Sequence, residues 1–225
     1  LEGALALVQT QAAMVGTPSV WLLTARAYAA RDGAAHAGTC GLARSARAET
    51  PQLRLAWIDA SMRQALVARR PSAALEPELA LRAHHHLAPR LMSASPVVTA
   101  VAHAISGGSH IITGGTGGLG MLTARWLAQR GGCVLILTSR AGMLDVAASS
   151  DWAQTQASSV VTLAQPCDSS EIVHTQRLVV MVGHGLRSAT GVWHAAGVLA
   201  DAVLPKQTVS ALARVYAPKA HGAWT

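Results

Sequence analysis

Phenylalanine is absent from the 225 residues, and two tyrosines and six tryptophans hold the aromatic share to 4%. Stacking platforms for nucleic-acid bases are therefore scarce. Lysine is nearly absent too, with only Lys206 and Lys219. The formal charge of +7 rests on arginines that stand singly, Arg69-Arg70 being the only adjacent pair. That scatter favours solubility and attraction of small anions, and no nucleic-acid partner is expected. Cys40, Cys133 and Cys167 share no ligand spacing with one another or with histidine. They read as buried thiols in a reducing, cytoplasmic setting, and no metal site is expected. No apolar run approaches the roughly 18 residues that span a bilayer, so no membrane partner is expected. Charged residues are few, at 13%, whereas 51% are hydrophobic, so a substantial core can form and a disordered tail is excluded as the main content. The chain opens on Leu1-Glu2-Gly3 and reads as a cut end that carries no legible targeting signal.

No repeat of solenoid period is present. Residues 1–60 are Ala-rich, with helical stretches around Ala4–Val15 and Gly41–Ala48 and apolar strands at Val20–Leu23 and Leu55–Ile58. That is the pattern of a small α/β unit. Residues 61–108 hold Arg69-Arg70-Pro71, Glu76-Pro77, His84-His85-His86 and Ser106-Gly-Gly108. They read as irregular chain with an edge strand or two, then a linker, and a helix around Pro96–Ile105 is compatible with the pattern. Adjacent histidines point in different directions, so the triplet reads as a solvated edge segment rather than a chelate. From His110 the periodicity sharpens. Strands are expected at His110–Thr113, Val134–Leu137, Val160–Leu163 and Gly191–His194. A helix over Met121–Arg130 places Leu122, Trp126 and Leu127 on one side. Asp168-Ser-Ser-Glu171 resembles a capping box and is expected to open a helix. Strand–helix alternation at this spacing predicts a doubly wound parallel sheet.

Thr113-Gly114-Gly115-Thr116-Gly117-Gly118-Leu119-Gly120 joins the first of these strands to its helix. Glycines let a diphosphate approach the backbone, and the helix N-terminus offers unpaired N–H donors. No Gly-Lys-Ser/Thr follows, which excludes a P-loop nucleotidase. The second strand ends on Thr138-Ser139-Arg140, where an acidic residue would bind a free ribose 2′-hydroxyl. A guanidinium and a hydroxyl instead suit a 2′-phosphate, so NADPH is the expected cofactor. The alternative for Arg140 is an ordinary solvated strand-end arginine.

These segments resemble the short-chain dehydrogenase/reductase family. More narrowly, they resemble the ketoreductase domain of modular type I polyketide synthases and its counterpart in animal-type fatty acid synthases. The resemblance is carried by Thr113–Gly120, Leu137-Thr-Ser-Arg-Ala-Gly142, Cys167-Asp168, Trp193-His-Ala-Ala-Gly-Val-Leu199 and Ala217-Pro-Lys-Ala-His-Gly-Ala-Trp224. Upstream, Trp21-Leu-Leu-Thr24, Ala37–Arg44 and Glu49–Leu53 resemble the structural half-domain that precedes the catalytic half. The resemblance implies an incomplete Rossmann-like doubly wound parallel sheet, preceded by a smaller truncated α/β structural subdomain. Residues 1–105 would be part of that subdomain plus a linker, and 106–225 the NADP-binding half of the catalytic subdomain.

It also implies roles. Gly114, Gly118, Leu119 and Gly120, with Thr113, Thr116 and Gly117 in the same loop, would cradle the pyrophosphate. Ser139 and Arg140 would take the 2′-phosphate. Asp168 would accept a hydrogen bond from the adenine amino group, or serve simply as a helix cap. Ala195, Ala196 and Gly197 would let the ribose lie against the fourth strand. Neither tyrosine has a lysine four residues later, the usual family spacing. In polyketide synthase ketoreductases the lysine belongs instead to a Lys-x-x-Gly-Ala motif, which makes Lys219 the catalytic lysine and Tyr216 a core residue of the helix leading to it. By the same resemblance the catalytic Ser and Tyr lie beyond residue 225. The chain as given is then a fragment expected to be inactive alone and to aggregate or stay molten. Asp201, in Leu199-Ala-Asp201, occupies the position that marks ketoreductases forming a D-configured hydroxyl, although Ala200 departs from the family's Leu-Asp-Asp. The implied reaction is NADPH-dependent reduction of a β-ketoacyl thioester. Its partners would be an acyl carrier protein that tethers the chain through phosphopantetheine, and other synthase domains. A degenerate, non-catalytic ketoreductase scaffold is the alternative.

Overall fold

In the computed structural model, the described residues are all but 15, 17, 26, 28–33, 62, 65–75, 84, 94–107, 132–133, 144–148, 186–188 and 225, with side chains 34–36 also left aside. The expected helix around Pro96–Ile105, Arg69-Arg70, His84 and Cys133 lie outside them. The chain divides into two units, one formed by Leu1–Ala94 with Asp201–Val209, the other by Ser95–Ala200 with Ser210–Thr225.

In the first unit, α1 (Glu2–Ala13), β1 (Val20–Thr24), α2 (Ala34–Glu49), β2 (Leu55–Asp59), β3 (Glu78–Arg82) and β4 (His85–Leu87) follow in order. The sheet runs β1-β2-β3-β4, parallel except for β4. Every residue of β2 is buried, as an interior parallel strand covered on both faces requires. The reading of residues 61–108 as holding only edge strands is corrected here, because β3 lies inside the sheet. Its terminal charges suggest exposure, but each is paired. Glu78 is gripped by Arg44 at 2.6 Å and Arg47 at 2.5 Å, both from α2. The Arg44 hydrogen bond leads in holding the Glu78 carboxyl below its usual range, against the opposing effect of burial. Burial pushes the neighbouring Cys40 thiol up, and the Glu78 charge adds to it. Arg82 pairs with Asp59, whose side chain is wholly buried. The stretch Asp201–Val209 is held by side chains of the same unit. Gln9 Nε2 donates to the carbonyls of Leu204 (2.8 Å) and Gln207 (2.9 Å), and Glu49 accepts from the Leu204 N–H at 2.6 Å.

The second unit contains β5 (Ser109–Thr113), α3 (Gly118–Gln129), β6 (Val134–Ser139), α4 (Ser149–Gln156), β7 (Val161–Pro166), α5 (Ile172–Gly185) and β8 (Ala189–His194). It closes with α6 (Val209–Tyr216, whose first residue belongs to the other unit), a π-helical turn over Ala217–His221, and α7 (Gly222–Trp224). Its sheet is parallel throughout, in the order β7-β6-β5-β8. The two central strands are almost fully buried, whereas the edges β7 and β8 are not.

Three local expectations are corrected. On α3 the buried residues are Gly120, Met121, Ala124 and Leu127, and Leu122 is 48% exposed. The helix begins at Gly118, and its small residues allow close packing on Ile112, Leu135 and Leu137. A stripe chosen by large side chains therefore misses the true face. Trp126 sits at the margin, edge-on to Trp193 at 5.7 Å, with the Arg130 guanidinium 4.3 Å above its ring. Asp168 does not start a helix directly, because its carboxylate closes a turn onto Ser170 and α5 begins only at Ile172. Tyr216 is half-buried, and α6 has no fully buried residue.

Candidate functional site

A cavity of about 490 Å³ opens where β5, β6, β7 and β8 end, on either side of the point where strand order reverses. Open parallel sheets take ligands at this place. Its floor is the loop after β5. Gly114 has φ +63°, and a Cβ there would stand 2.7 Å from Ala196 Cα, so the loop can lie against the end of β8 only without a side chain. A Cβ on Gly120 would stand 2.3 Å from the Gly114 carbonyl oxygen, so α3 closes onto its own loop. Above the helix start the space is open. A Cβ on Gly118 would meet nothing within 4 Å, and the N-cap, Gly117, has no side chain to satisfy the first-turn amides. Uncapped donors facing open space fit the pyrophosphate of a dinucleotide.

The walls hold the groups that would discriminate among nucleotides. Ser139 ends β6 and Arg140 follows it, and both line the cavity. The Ser139 Oγ accepts the Gly142 N–H at 3.1 Å, which leaves its own proton available to donate. Asp168 lies across from them, its Oδ1 accepting from the Ser170 N–H (3.0 Å) and Oγ–H (2.6 Å). The Ser170 hydroxyl leads in holding the Asp168 carboxyl below the usual range. Burial opposes it, and the Ser170 backbone, the Arg140 charge and His174 add smaller contributions. Any stability gained from this ionised group is complete above the usual carboxylate pKa and is lost as pH falls through the depressed value. Ser170→Ala is expected to move the Asp168 titration upward, toward the usual range. Carboxyl NMR would show it, and an unmoved titration would refute the assignment.

The structure thus brings together Gly114, Thr116, Gly117, Gly118, Leu119 and Gly120 with Ser139, Arg140, Asp168, Ala195, Ala196 and Gly197. Three other expected residues do not line the cavity. Thr113 is buried, with its hydroxyl 2.8 Å from His194 Nδ1. Lys219 is exposed on the π-helical turn, its Cε 3.1 Å from where a Gly197 Cβ would stand. Asp201 is exposed, in the stretch grouped with the first unit. Cys167, Ser169, Ser170, Val198 and Arg214 line the cavity although sequence motifs do not single them out for it. Cys167, Ser169 and Val198 directly flank Asp168 or Gly197 and Ser170 stands one residue further on, so strand ends alone could have flagged them. Arg214 stands one helical turn before Pro218, a spacing that becomes meaningful only once α6 is placed. Among the described residues, no group of three or more His, Cys, Asp or Glu stands together as a metal site, and no helix is long and apolar enough to cross a membrane.

An all-parallel sheet with a glycine loop after its central strand and a crevice at its reversal point defines a Rossmann-like fold of the short-chain reductase kind. Residues 108–225 match the KR domain, and residues 1–91 match the Rossmann fold domain of the polyketide synthase extender module SpnB. The chain belongs to the ketoreductase-domain family of polyketide synthases. It is 32% identical, over 94% of its length, to a phenolphthiocerol/phthiocerol polyketide synthase polypeptide of Mycobacterium tuberculosis. To a PKS-NRPS hybrid synthetase of Aspergillus candidus it is 34% identical over 92% of its length. It spans only 12% and 9% of those two polypeptides. Among solved structures, an A-type ketoreductase from a modular polyketide synthase superposes on 98% of the chain with TM-score 0.80 at 30% identity. The first ketoreductase of the tylosin synthase superposes on 99% with TM-score 0.75 at 29% identity. The chain covers 49% of each. Ketoreductase domains are oxidoreductases, and this fold serves a nicotinamide cofactor.

Proposed function

We propose that the chain supplies the NADPH-binding part of a ketoreductase that reduces a β-ketoacyl thioester, presented by an acyl carrier protein, to its β-hydroxy form. The observation that carries this reading is the pairing of Ser139 and Arg140 on the wall of the cavity whose floor is the uncapped N-terminus of α3. A phosphorylated ribose needs a cation and a hydroxyl on one side and backbone amides on the other. Gly118, Leu119 and Gly120 would hold the pyrophosphate, with Gly114 keeping the loop tight. Arg140 and Ser139 would hold the 2′-phosphate. Asp168, ionised, would accept from the adenine amino group. Ala195, Ala196 and Gly197 leave room for a ribose. When bound, the nicotinamide would supply the hydride. Lys219 would set a fixed positive charge near the reacting carbonyl, favouring the ionised form of a neighbouring acid. Asp201 is the residue on which a D-configured product would rest. The other domains of a synthase would deliver the tethered substrate.

A non-catalytic scaffold is the competing reading, suggested by the bulk of Trp193 in β8 and by Gln165-Pro166 just before Cys167-Asp168. The Trp193 side chain packs on the core around Ile112, so its size is accommodated without intrusion. Titration with NADPH and NADH, followed by tryptophan fluorescence, separates the two readings. A charge-assisted phosphate contact is worth about 1.5–3 kcal/mol, so NADPH is expected to bind about 10–100 times more tightly than NADH. Equal affinities, or no response to either, would overturn the proposal.

A further inference from the structure

We propose that His194 is a positioning residue for Lys219, tying the start of the glycine loop to the turn that carries the lysine. The proposal rests on the ketoreductase reading of Lys219. His194 ends β8. Its Nδ1 lies 2.8 Å from Thr113 Oγ1, at the end of β5, and its Nε2 lies 2.9 Å from the carbonyl oxygen of Pro218, the residue before Lys219. A carbonyl oxygen only accepts, so Nε2 bears a proton. In the neutral ring Nδ1 is then an acceptor, and the Thr113 hydroxyl donates to it. The result is a directed chain, from Thr113 O–H to His194 and from His194 N–H to Pro218.

The receiving element explains why such a link is needed. Ala217–His221 is a π-helical turn, wider and rarer than an α-helical one, and such turns occur frequently at functional sites. Among the described residues, the Lys219 ammonium makes no ion pair or hydrogen bond. Its placement therefore comes from the backbone turn and from the passage of its stem over Gly197, three residues beyond His194. The same imidazole that fixes the turn thus also ends β8, three residues before the Gly197 that the lysine stem passes. Thr113, placed by resemblance among the cofactor contacts, acts in this arrangement as the outer anchor of the lysine turn.

Two substitutions divide the ring's functions. In His194→Gln the amide nitrogen reaches about as far as Nε2 and can still donate to Pro218. In His194→Asn the amide ends near the position of Nδ1 and reaches only Thr113. The chain contains just two lysines, so reductive methylation with isotope-labelled methyl groups yields two lysine NMR signals, with exposed Lys206 as internal reference. In His194→Asn the Lys219 signal is expected to move from its wild-type position and to show faster side-chain motion, while Lys206 stays put. In His194→Gln it is expected to keep the wild-type position. A Lys219 signal unmoved in His194→Asn, or moved as far in His194→Gln, overturns the proposal. Nitrogen NMR of the wild-type imidazole is a second check that needs no variant, because a neutral ring protonated at Nδ1 also overturns it. Adding NADPH to the methylated wild type tests the underlying reading separately. A Lys219 signal blind to NADPH, with the Asn and Gln pattern intact, would refute the ketoreductase role and leave the tether standing.

Discussion

Arg82→Ala is expected to destabilise the first unit by about 3 kcal/mol, the lower end of what removing one partner of a buried ion pair costs. The Asp59 side chain is wholly buried and receives the Ala27 N–H at 2.7 Å, the Thr24 hydroxyl at 3.2 Å and the Arg82 guanidinium. Arg82 also donates to the backbone carbonyl of Asp59 at 3.1 Å, so one side chain joins β2 to β3 twice. Without it, a carboxylate held out of water would lose the guanidinium that joins it to β3. The lower figure is appropriate because the Arg82 side chain is 38% exposed and water can partly replace it. Adding Asp59→Asn to Arg82→Ala removes the buried charge that the guanidinium offsets and should restore part of the loss. Urea unfolding followed by tryptophan fluorescence, to which Trp21 on β1 and Trp57 on β2 contribute from this unit, measures both. A loss under about 1 kcal/mol, or no recovery in the double variant, would refute the account.

Arg140→Glu is expected to abolish the preference for the phosphorylated cofactor. The substitution removes a charge-assisted contact and places a carboxylate where the 2′-phosphate would lie, for a combined effect of about 3 kcal/mol, or on the order of a hundredfold weaker NADPH binding. NADH, whose free hydroxyl can be accepted by the new carboxylate, should bind no worse than before. Arg140 is exposed, so the wild-type preference should shrink as added salt screens it. The fold should be indifferent to the change, and Asp168 should stay ionised because Ser170, not Arg140, is the chief cause of its low pKa. An unchanged ratio of NADPH to NADH affinity would remove the basis for assigning the cofactor.

Much of the site is legible in the sequence, for a local reason. The loop from Gly114 to Gly120, the pair Ser139 and Arg140, Asp168 and the run Ala195–Gly197 each follow a strand that announces itself by an apolar run. In a parallel sheet, strand ends converge on one edge, so residues far apart in sequence become neighbours by topology alone. The misses have a different origin. Leu122 resembles a core residue because it is large, whereas the face of α3 is chosen by what fits against β5 and β6, and there Gly120 and Ala124 allow the approach. β3 resembles a peripheral strand because it begins with Glu78 and ends with Arg82. Only the pairing of those charges with Arg44, Arg47 and Asp59 lets it lie inside a sheet.

The amino-acid order alone therefore determined the alternation of strands and helices, the side-chain-free loop and the charge type waiting at the end of β6. These depend on period, backbone freedom and residue chemistry, which act over a few residues. Which faces are buried, which charges meet, and the link from Thr113 through His194 to the turn before Lys219 were decided by tertiary structure. Those contacts join positions up to 81 residues apart, and their geometry exists only after the strands have paired.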